Sequence, residues 1–552
     1  MNKFTKYTFE IVQQNIIEKC KNKIISENDK CFFLRLLKKC PEEANNIGAW
    51  IVLGKKKGLT YNPTFDYVVN HKINYLSKNI DLSFSFPKAI NHKLIIGDNY
   101  HALNNLLISY RGKINIIYID PPYGQNKMDG KNIGLPYKNK YSLDDWLSML
   151  NPRLKIAHEL LNDNGILLCS IDDKNLAYLK LLLDDIFGEK NFVGQFCWVK
   201  KHGCGGNTLG AEKIVSNVEY ILCYAKNINF DIFQGIKYSN EQIKNKFTRK
   251  DKYFNERGAY LLVPLHHPST IGSFQYTQSL DYPIKAPDGT NFRLYCNKNG
   301  QKNARYTWGY DTYKAGEKAG FIEILKNHKD EWVAYRKQYE FARFNPKTRN
   351  IEYIEQKRKP IENYINIESF YIDKKGSYSA YGSKPISEIL NDKNIFAFPK
   401  PIGLIKYLLQ IYKIKNPLIL DFFAGTGTTG QAVLELNMED GQQRKFILCQ
   451  NNENNIGTNC CYERLRRIMT GISTNKEKFS WIENNKSFKN TLDVYEIKSC
   501  DDSDIKVFNK IDPKCYFDDE NFLPKNEQQK RDWICENFEI TCKELVKEND
   551  YD

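Results

Sequence analysis

Short apolar runs alternate with helix-spaced amphipathic stretches in two separate regions of the chain, and the alternation fails between them. In the first region, residues 93–98 read as a strand and turn, 100–110 as a helix, and 115–119 as a second, β-branched strand. Ser142 opens the next helix, with Asp144 and Asp145 in its first turn. Its pattern runs to Leu161 with a kink at Pro152, and Asn164-Gly165 leads into a strand over 166–170. Parallel-sheet periodicity continues to about Gly188. In the second region, 402–412 reads as a helix, 417–420 as a strand, 429–436 as a helix and 446–449 as a strand. Strands this uniformly apolar are covered on both faces, which neither region achieves alone. One doubly wound α/β sheet built from both is therefore expected, and it should bring Asp98 beside the second region.

The stretches outside these regions are less regular. Residues 1–90 read as an arm of short amphipathic helices, with Phe32 to Leu37 in a lysine-rich frame, and 476–552 as a polar extension with an amphipathic piece at 533–545. Between the two α/β regions, residues 200–384 interleave aromatic with basic side chains. Five segments follow: 1–90, 91–199, 200–384, 385–475 and 476–552. A chain of 552 residues exceeds one core, and Lys plus Arg outnumber Asp plus Glu by 81 − 66 = 15, which fits a polyanionic partner. Its 15 cysteines include no CxxC pair, so reduced, buried thiols are expected rather than zinc ligands. No window approaches a membrane span and the amino terminus carries no apolar core of signal-peptide length, so a cytoplasmic, nucleoid-associated protein is expected.

Chemistry concentrates at two strand ends. The run 114–119 delivers Asp120-Pro121-Pro122-Tyr123, where two prolines forbid a helix and remove two backbone donors, leaving a rigid turn with outward carbonyls. A carboxylate, a free carbonyl and an aromatic ring suit a flat substrate whose exocyclic amine has two hydrogens to give, such as adenine or cytosine. At the other end, Pro417 to Leu420 leads into Asp421-Phe422-Phe423-Ala424-Gly425-Thr426-Gly427-Thr428-Thr429-Gly430, a strand, glycine loop and helix start that suit a nucleotide-like cofactor. Gly425, Gly427 and Gly430 formally match GxGxxG, with Gln450 and Glu453 where an acid would hold a ribose.

Together, and in this order, the two motifs resemble the β class of amino-group DNA methyltransferases, nearest to the adenine-specific modification subunits of type III restriction systems. The resemblance runs from about Leu94 to Gly471 and includes Ile95 to Asn99, Trp146 to Leu154, Ser170 to Asp173, Glu219 to Leu222, Tyr282 to Gly289, Pro399-Lys400-Pro401 and Arg444 to Cys449. It implies a circularly permuted Rossmann-like methyltransferase sheet with an inserted α+β target-recognition domain. It also implies S-adenosylmethionine as cofactor and transfer of its methyl group to N6 of a flipped adenine in double-stranded DNA. Asp120 and the Pro121 carbonyl would accept the amine hydrogens, and Tyr123, next to Pro122, would stack on the base. Asp421, Phe423, Ala424, Gly425, Thr426, Gly427 and Thr428 would cradle the cofactor's methionine side, with Lys400 and Pro401 flanking, Asp98 at its adenine and Glu453 near its ribose. Gln450 departs from the glutamate common in the family.

In the insert, Arg293, Lys302, Arg305, Trp308, Arg336 and Lys337 would meet DNA. Family likeness further implies a homodimer and a separate nuclease or translocase subunit, since no GK[ST] loop occurs here. No metal is required, and Ser170 to Asp173 read as wall rather than nucleophile. Three other readings stand beside this one. They are cytosine N4 methylation, against which Asp rather than Ser at 120 leans, a catalytically silent specificity subunit, and a dinucleotide oxidoreductase. Pro287-Asp288 with Glu355-Gln356-Lys357 formally fits a nuclease spacing, but Asp288 sits in a turn-forming run.

Overall fold

Strands Lys72–Lys78 (β1), Asn91–Ile96 (β2), Ile114–Ile119 (β3), Leu161–Ile171 (β4), Phe192–Val199 (β5), Val218–Ala225 (β6), Tyr364–Ile365 (β7), Leu418–Asp421 (β8), Lys445–Gln450 (β9) and Thr491–Asp501 (β10) form one sheet in the order β1-β10-β2-β9-β8-β3-β4-β6-β5-β7. The computed structural model describes residues 12–14, 16–17, 27–41, 72–123, 142–200, 214–238, 240–268, 276–300, 302–366, 380–392, 399–501, 507–517 and 519–538. From β10 to β4 all neighbours run parallel. The two α/β regions do merge, with β8 paired to β3 through Ile419↔Ile116 and Leu420↔Ile117.

The sheet departs from the sequence reading at its edges. β6 runs antiparallel to both β4 and β5, so the sheet is mixed rather than wholly parallel. β1 lies in the stretch read as a helical arm, and β10 in the stretch read as a polar extension, yet they pair from Lys72↔Asp501 to Lys78↔Tyr495. Tyr516 ties these ends together, its hydroxyl donating to Asn105 Oδ1 at 2.7 Å and accepting from the Leu76 amide at 2.8 Å. Further out, Glu27–Lys39 is helical as its pattern predicts, and Glu527–Phe538 carries part of the expected 533–545 piece, whose last residues lie outside the described ones.

Helices Asn99–Tyr110 (α1), Leu143–Leu160 (α2), Leu176–Phe187 (α3), Ile402–Gln410 (α4), Thr428–Asp440 (α5) and Glu463–Thr470 (α6) accompany the sheet. Local chemistry sets where they start. Asp98 caps α1 by accepting from the Tyr100 amide at 2.8 Å, and Ser142 caps α2 by accepting from the Asp145 amide at 3.1 Å. Pro152 lies inside α2, whose apolar face of Trp146, Leu150, Leu154 and Ala157 is buried in the same core as Ile117, Ile119, Leu167 and Leu420.

The chain divides into two compact units, one ending at Phe233 and resuming at Glu362, the other spanning Gln234–Ile361. The second unit is narrower than the 200–384 segment expected, because β6 and β7 belong to the large sheet. It is built on a three-stranded antiparallel sheet of Tyr260–Pro264, Ile322–Lys326 and Trp332–Tyr339, with helix Tyr310–Lys318. Its aromatic residues are mostly interior: Tyr306, Trp308, Tyr313, Phe321 and Tyr339 form its core.

Two expected DNA contacts are thereby corrected. Trp308 is buried, with its ring against Phe344 and close over Gly316. Lys337 is spent on Asp251 at 2.7 Å. Arg293, side chain 59% exposed, Lys302, over the Tyr276 ring, and the half-buried Arg305 and Arg336 keep a surface component. Trp308→Ala is expected to cost about 3–5 kcal/mol of stability through the cavity it opens. Denaturant unfolding of the whole chain checks this, and an unchanged midpoint would return Trp308 to the surface.

Candidate active site

In a parallel sheet, side chains and loops collect at the carboxyl ends of the strands, and ligands settle where the connections turn opposite ways. That place lies between β8, whose chain goes through α5 to β9 on one side, and β3, whose chain goes through α2 to β4 on the other. One cavity occupies these strand ends and takes its walls from Asp98 after β2, Gln450 of β9, Asp421 of β8 and Asp120 after β3. The two motifs, read as far apart in the chain, therefore face a common space.

At the glycine loop, Gly425 and Gly427 have φ of 53° and 75°, a left-handed backbone that side-chain-bearing residues rarely adopt. The loop is held from several directions. The Gly425 amide donates to Gln450 Oε1 at 2.7 Å, and Asp421 accepts from the Phe423 amide at 3.0 Å and the Thr429 hydroxyl at 2.6 Å. Burial pushes the Asp421 carboxyl up to about 7. Beneath the loop, the fully buried Arg464 of α6 donates to the Thr426 carbonyl at 3.1 Å, the Thr426 and Thr428 hydroxyls at 2.8 and 2.9 Å, and Gln431 Oε1 at 2.9 Å. Burial lowers its guanidinium to about 10.

At the Pro-Pro turn, the Trp146 indole donates to the Pro122 carbonyl at 2.6 Å and Asn175 to the Tyr123 carbonyl at 2.5 Å, so α2 and the start of α3 brace the turn. The Tyr123 hydroxyl donates to Asp120 Oδ1 at 2.8 Å and also reaches Glu219 Oε2 at 3.3 Å. Lys400 Nζ stands in the middle, 2.7 Å from the Tyr123 hydroxyl, 2.6 Å from Glu219 and 3.3 Å from Asp120. Burial drives Asp120 above the usual carboxylate range against the pull of Lys400. For Glu219 burial acts in the same sense, but Lys400 and Lys200 outweigh it and hold the carboxyl low. Lys400 itself is held above the ordinary lysine range, since Asp120 and Glu219 overcome its burial.

Of the residues singled out in the sequence, Asp98, Asp120, Pro122, Lys400, Asp421, Phe423, Ala424, Gly425, Thr426, Thr428 and Glu453 line the cavity. Four expectations shift. Pro401 caps α4 and is buried, Gly427 caps α5 at a place where a β-carbon would press on Cys461 Sγ, Lys400 belongs to the Asp120 cluster more than to the glycine loop, and Gln450 is engaged by the Gly425 amide. Pro121 is also buried, while Tyr123 stands beside the cavity with its hydroxyl already engaged. Sequence reasoning missed Arg464, Glu219 and Arg153, whose guanidinium joins Asn99 Oδ1 at 2.5 Å and Asp98 at 3.2 Å. Glu219 sat in a quoted run without a role; Arg464 gave no local signal. In the second unit Asp288 is occupied by Thr290 and Trp332 and Glu355 by Lys237, which leaves the formal nuclease spacing without a site.

The donor set fits S-adenosylmethionine. Three carboxyls, Asp98, Asp421 and Glu453, suit a ligand with cationic centres and hydroxyls, and its far end would reach Asp120. No described helix is long and apolar enough to cross a membrane.

A Salmonella typhimurium protein, the StyLTI Mod subunit of a type III restriction-modification enzyme, is 30% identical over 385 residues, 65% of this chain and 52% of its own length. The type II methyltransferase M.KpnI of Klebsiella pneumoniae is 28% identical over 69% of this chain and 86% of its own. The match thus spans about half the length of the Salmonella relative. Among solved structures, the cytosine-N4-specific PvuII DNA methyltransferase aligns at TM-score 0.34 and 11% identity over 74% of this chain and 98% of its own, too distant to bear on the base. A family model described as an uncharacterised conserved protein matches residues 10–116. The model for N6/N4 DNA methylases matches residues 114–459, from the strand before Asp120 through the glycine loop, and the chain belongs to that DNA methylase family.

Proposed function

We propose that the chain transfers a methyl group from S-adenosylmethionine to N6 of an adenine flipped out of double-stranded DNA, as the modification subunit of a type III restriction system. The observation that carries this reading is the pairing of β3 with β8, which sets Asp120 and Gly425 on the walls of one cavity. S-adenosylmethionine, when bound, supplies an electrophilic methyl group. The residues of the chain do the rest. The amine nitrogen is a weak nucleophile because its lone pair is conjugated with the ring, so Asp120 accepts one amino hydrogen and the Pro121 carbonyl the other, drawing the nitrogen towards tetrahedral geometry. Asp120 then takes the proton that the nitrogen loses. Flipping the base costs a few kcal/mol, part of which stacking on the Tyr123 ring offsets. Exposed cations of the second unit, Arg293 and Lys302, would meet phosphates.

Nucleoside analysis of plasmid DNA incubated with the protein and the methyl donor tests the reading. N6-methyladenine is expected. N4-methylcytosine would move the chemistry to cytosine, and an unmodified plasmid would leave a specificity subunit.

A further inference from the structure

Asp120 has two carboxyl oxygens, and the described residues use one of them. The Tyr123 hydroxyl donates to Oδ1 at 2.8 Å, and the Lys400 ammonium lies 3.3 Å from the same atom. Among the described residues nothing donates to Oδ2. A carboxylate at a strand end turns freely about its last torsion; two donors on one oxygen stop that rotation and leave the other lone pairs for a substrate.

The clamp has its own support. Lys400 precedes α4 with its side chain 10% exposed, and it also reaches Glu219 Oε2 at 2.6 Å and lies over the Trp198 ring. Glu219 stands on β6, the antiparallel strand two places from β3, and its other oxygen holds Lys200 at 3.2 Å. Among the described residues, Lys400 and Tyr123 link Glu219 to Asp120. A buried ammonium on a flexible four-carbon stem keeps a fixed place only where several acceptors converge on it.

We infer that Lys400 and Glu219 are positioning residues of the transfer reaction: Lys400, with Tyr123, locks one oxygen of Asp120 so that the other faces the amine, and Glu219 holds Lys400 in that place. This rests on Asp120 being the amine acceptor, as proposed above. In this role both act through Asp120 rather than on the base or the methyl group. Their charges have opposite effects on Asp120, since Lys400 stabilises its carboxylate and Glu219 opposes it. The other titratable groups around Asp120 are Tyr118 on its own strand, Tyr123, Cys169 on β4 and Asp421 on β8, and all of them remain in the variants below.

The test is the pH profile of the single-turnover methyl-transfer rate on duplex DNA, whose acid limb reports the ionisation of Asp120. In Lys400→Met the limb moves to higher pH by about one unit, because an opposite charge within a few ångströms is lost. In Glu219→Gln it moves to lower pH, and in Lys400→Arg, which keeps the charge, it stays near the wild-type position while more of the rate survives than in Lys400→Met. Shifts of the same sign in Lys400→Met and Glu219→Gln, or none, overturn the inference. Should Lys400→Met fail to fold by circular dichroism, Glu219→Gln decides alone, and an upward or absent shift is then fatal. A wild-type protein that leaves adenine unmodified sinks the proposed function instead, so the two failures are separable.

Discussion

Asp120→Ala is expected to lower the methyl-transfer rate by about a thousandfold, the upper end of what a single preorganised group supplies, with little change in the melting temperature. The reason lies in where Asp120 sits. It closes one end of the cavity, and its only described partners are Tyr123 and Lys400, both of which keep Glu219 when the carboxylate is gone. Asp421 loses the nearby charge of Asp120, but its bonds to Phe423 and Thr429 and the Gly425–Gln450 bond of the glycine loop remain. Cofactor affinity measured by calorimetry should therefore stay within a few fold of wild type. A variant that retains a tenth of the wild-type rate would remove Asp120 from the chemistry, and one that no longer binds the cofactor would mean that the two ends are not independent.

Arg464→Leu is expected to lower stability and cofactor affinity together. The guanidinium is fully buried, and what it touches is neutral: the Thr426 carbonyl, two threonine hydroxyls and the Gln431 side-chain oxygen. Removing it strands these acceptors in the interior, at about 1–3 kcal/mol for a group left unsatisfied; a total loss of about 2–4 kcal/mol is expected after relaxation. The same bonds fix Thr426 and Thr428 on either side of Gly427, so the loop loses its shape as well. Denaturant unfolding reads the first effect, and calorimetric titration with S-adenosylmethionine reads the second as at least a tenfold weaker binding. A full-affinity variant would show that the loop shape is set by Gln450 and Asp421 without Arg464.

The parts legible in the sequence are those whose physics is local. Two prolines after a carboxylate, and glycines at left-handed positions before a helix, announce themselves wherever they occur, and both ended on the cavity wall. The merger of two distant regions was legible too, because an apolar strand has no stable existence with one face bare. What stayed hidden depends on partners far along the chain. The run Lys72–Lys78 alternates polar and apolar residues weakly and becomes a strand only because Thr491–Asp501 pairs with it. Lys337 looked like a DNA contact until Asp251, 86 residues earlier, neutralised it. Trp308 was misjudged for a related reason: aromatic and basic residues mixed in one stretch describe a strand surface with an inside and an outside equally well, and only packing tells which is which.

The pairing of β1 with β10 sets Lys72 opposite Asp501, so the two ends of the sheet-forming chain are neighbours. A short linker between those strands, with a new opening before Pro399, would yield a polypeptide in which the glycine loop comes first and Asp-Pro-Pro-Tyr follows, with every strand keeping its present neighbours. The order in which the two motifs are synthesised is thus a freedom of this architecture, and rearranged enzymes could be assembled from the same parts.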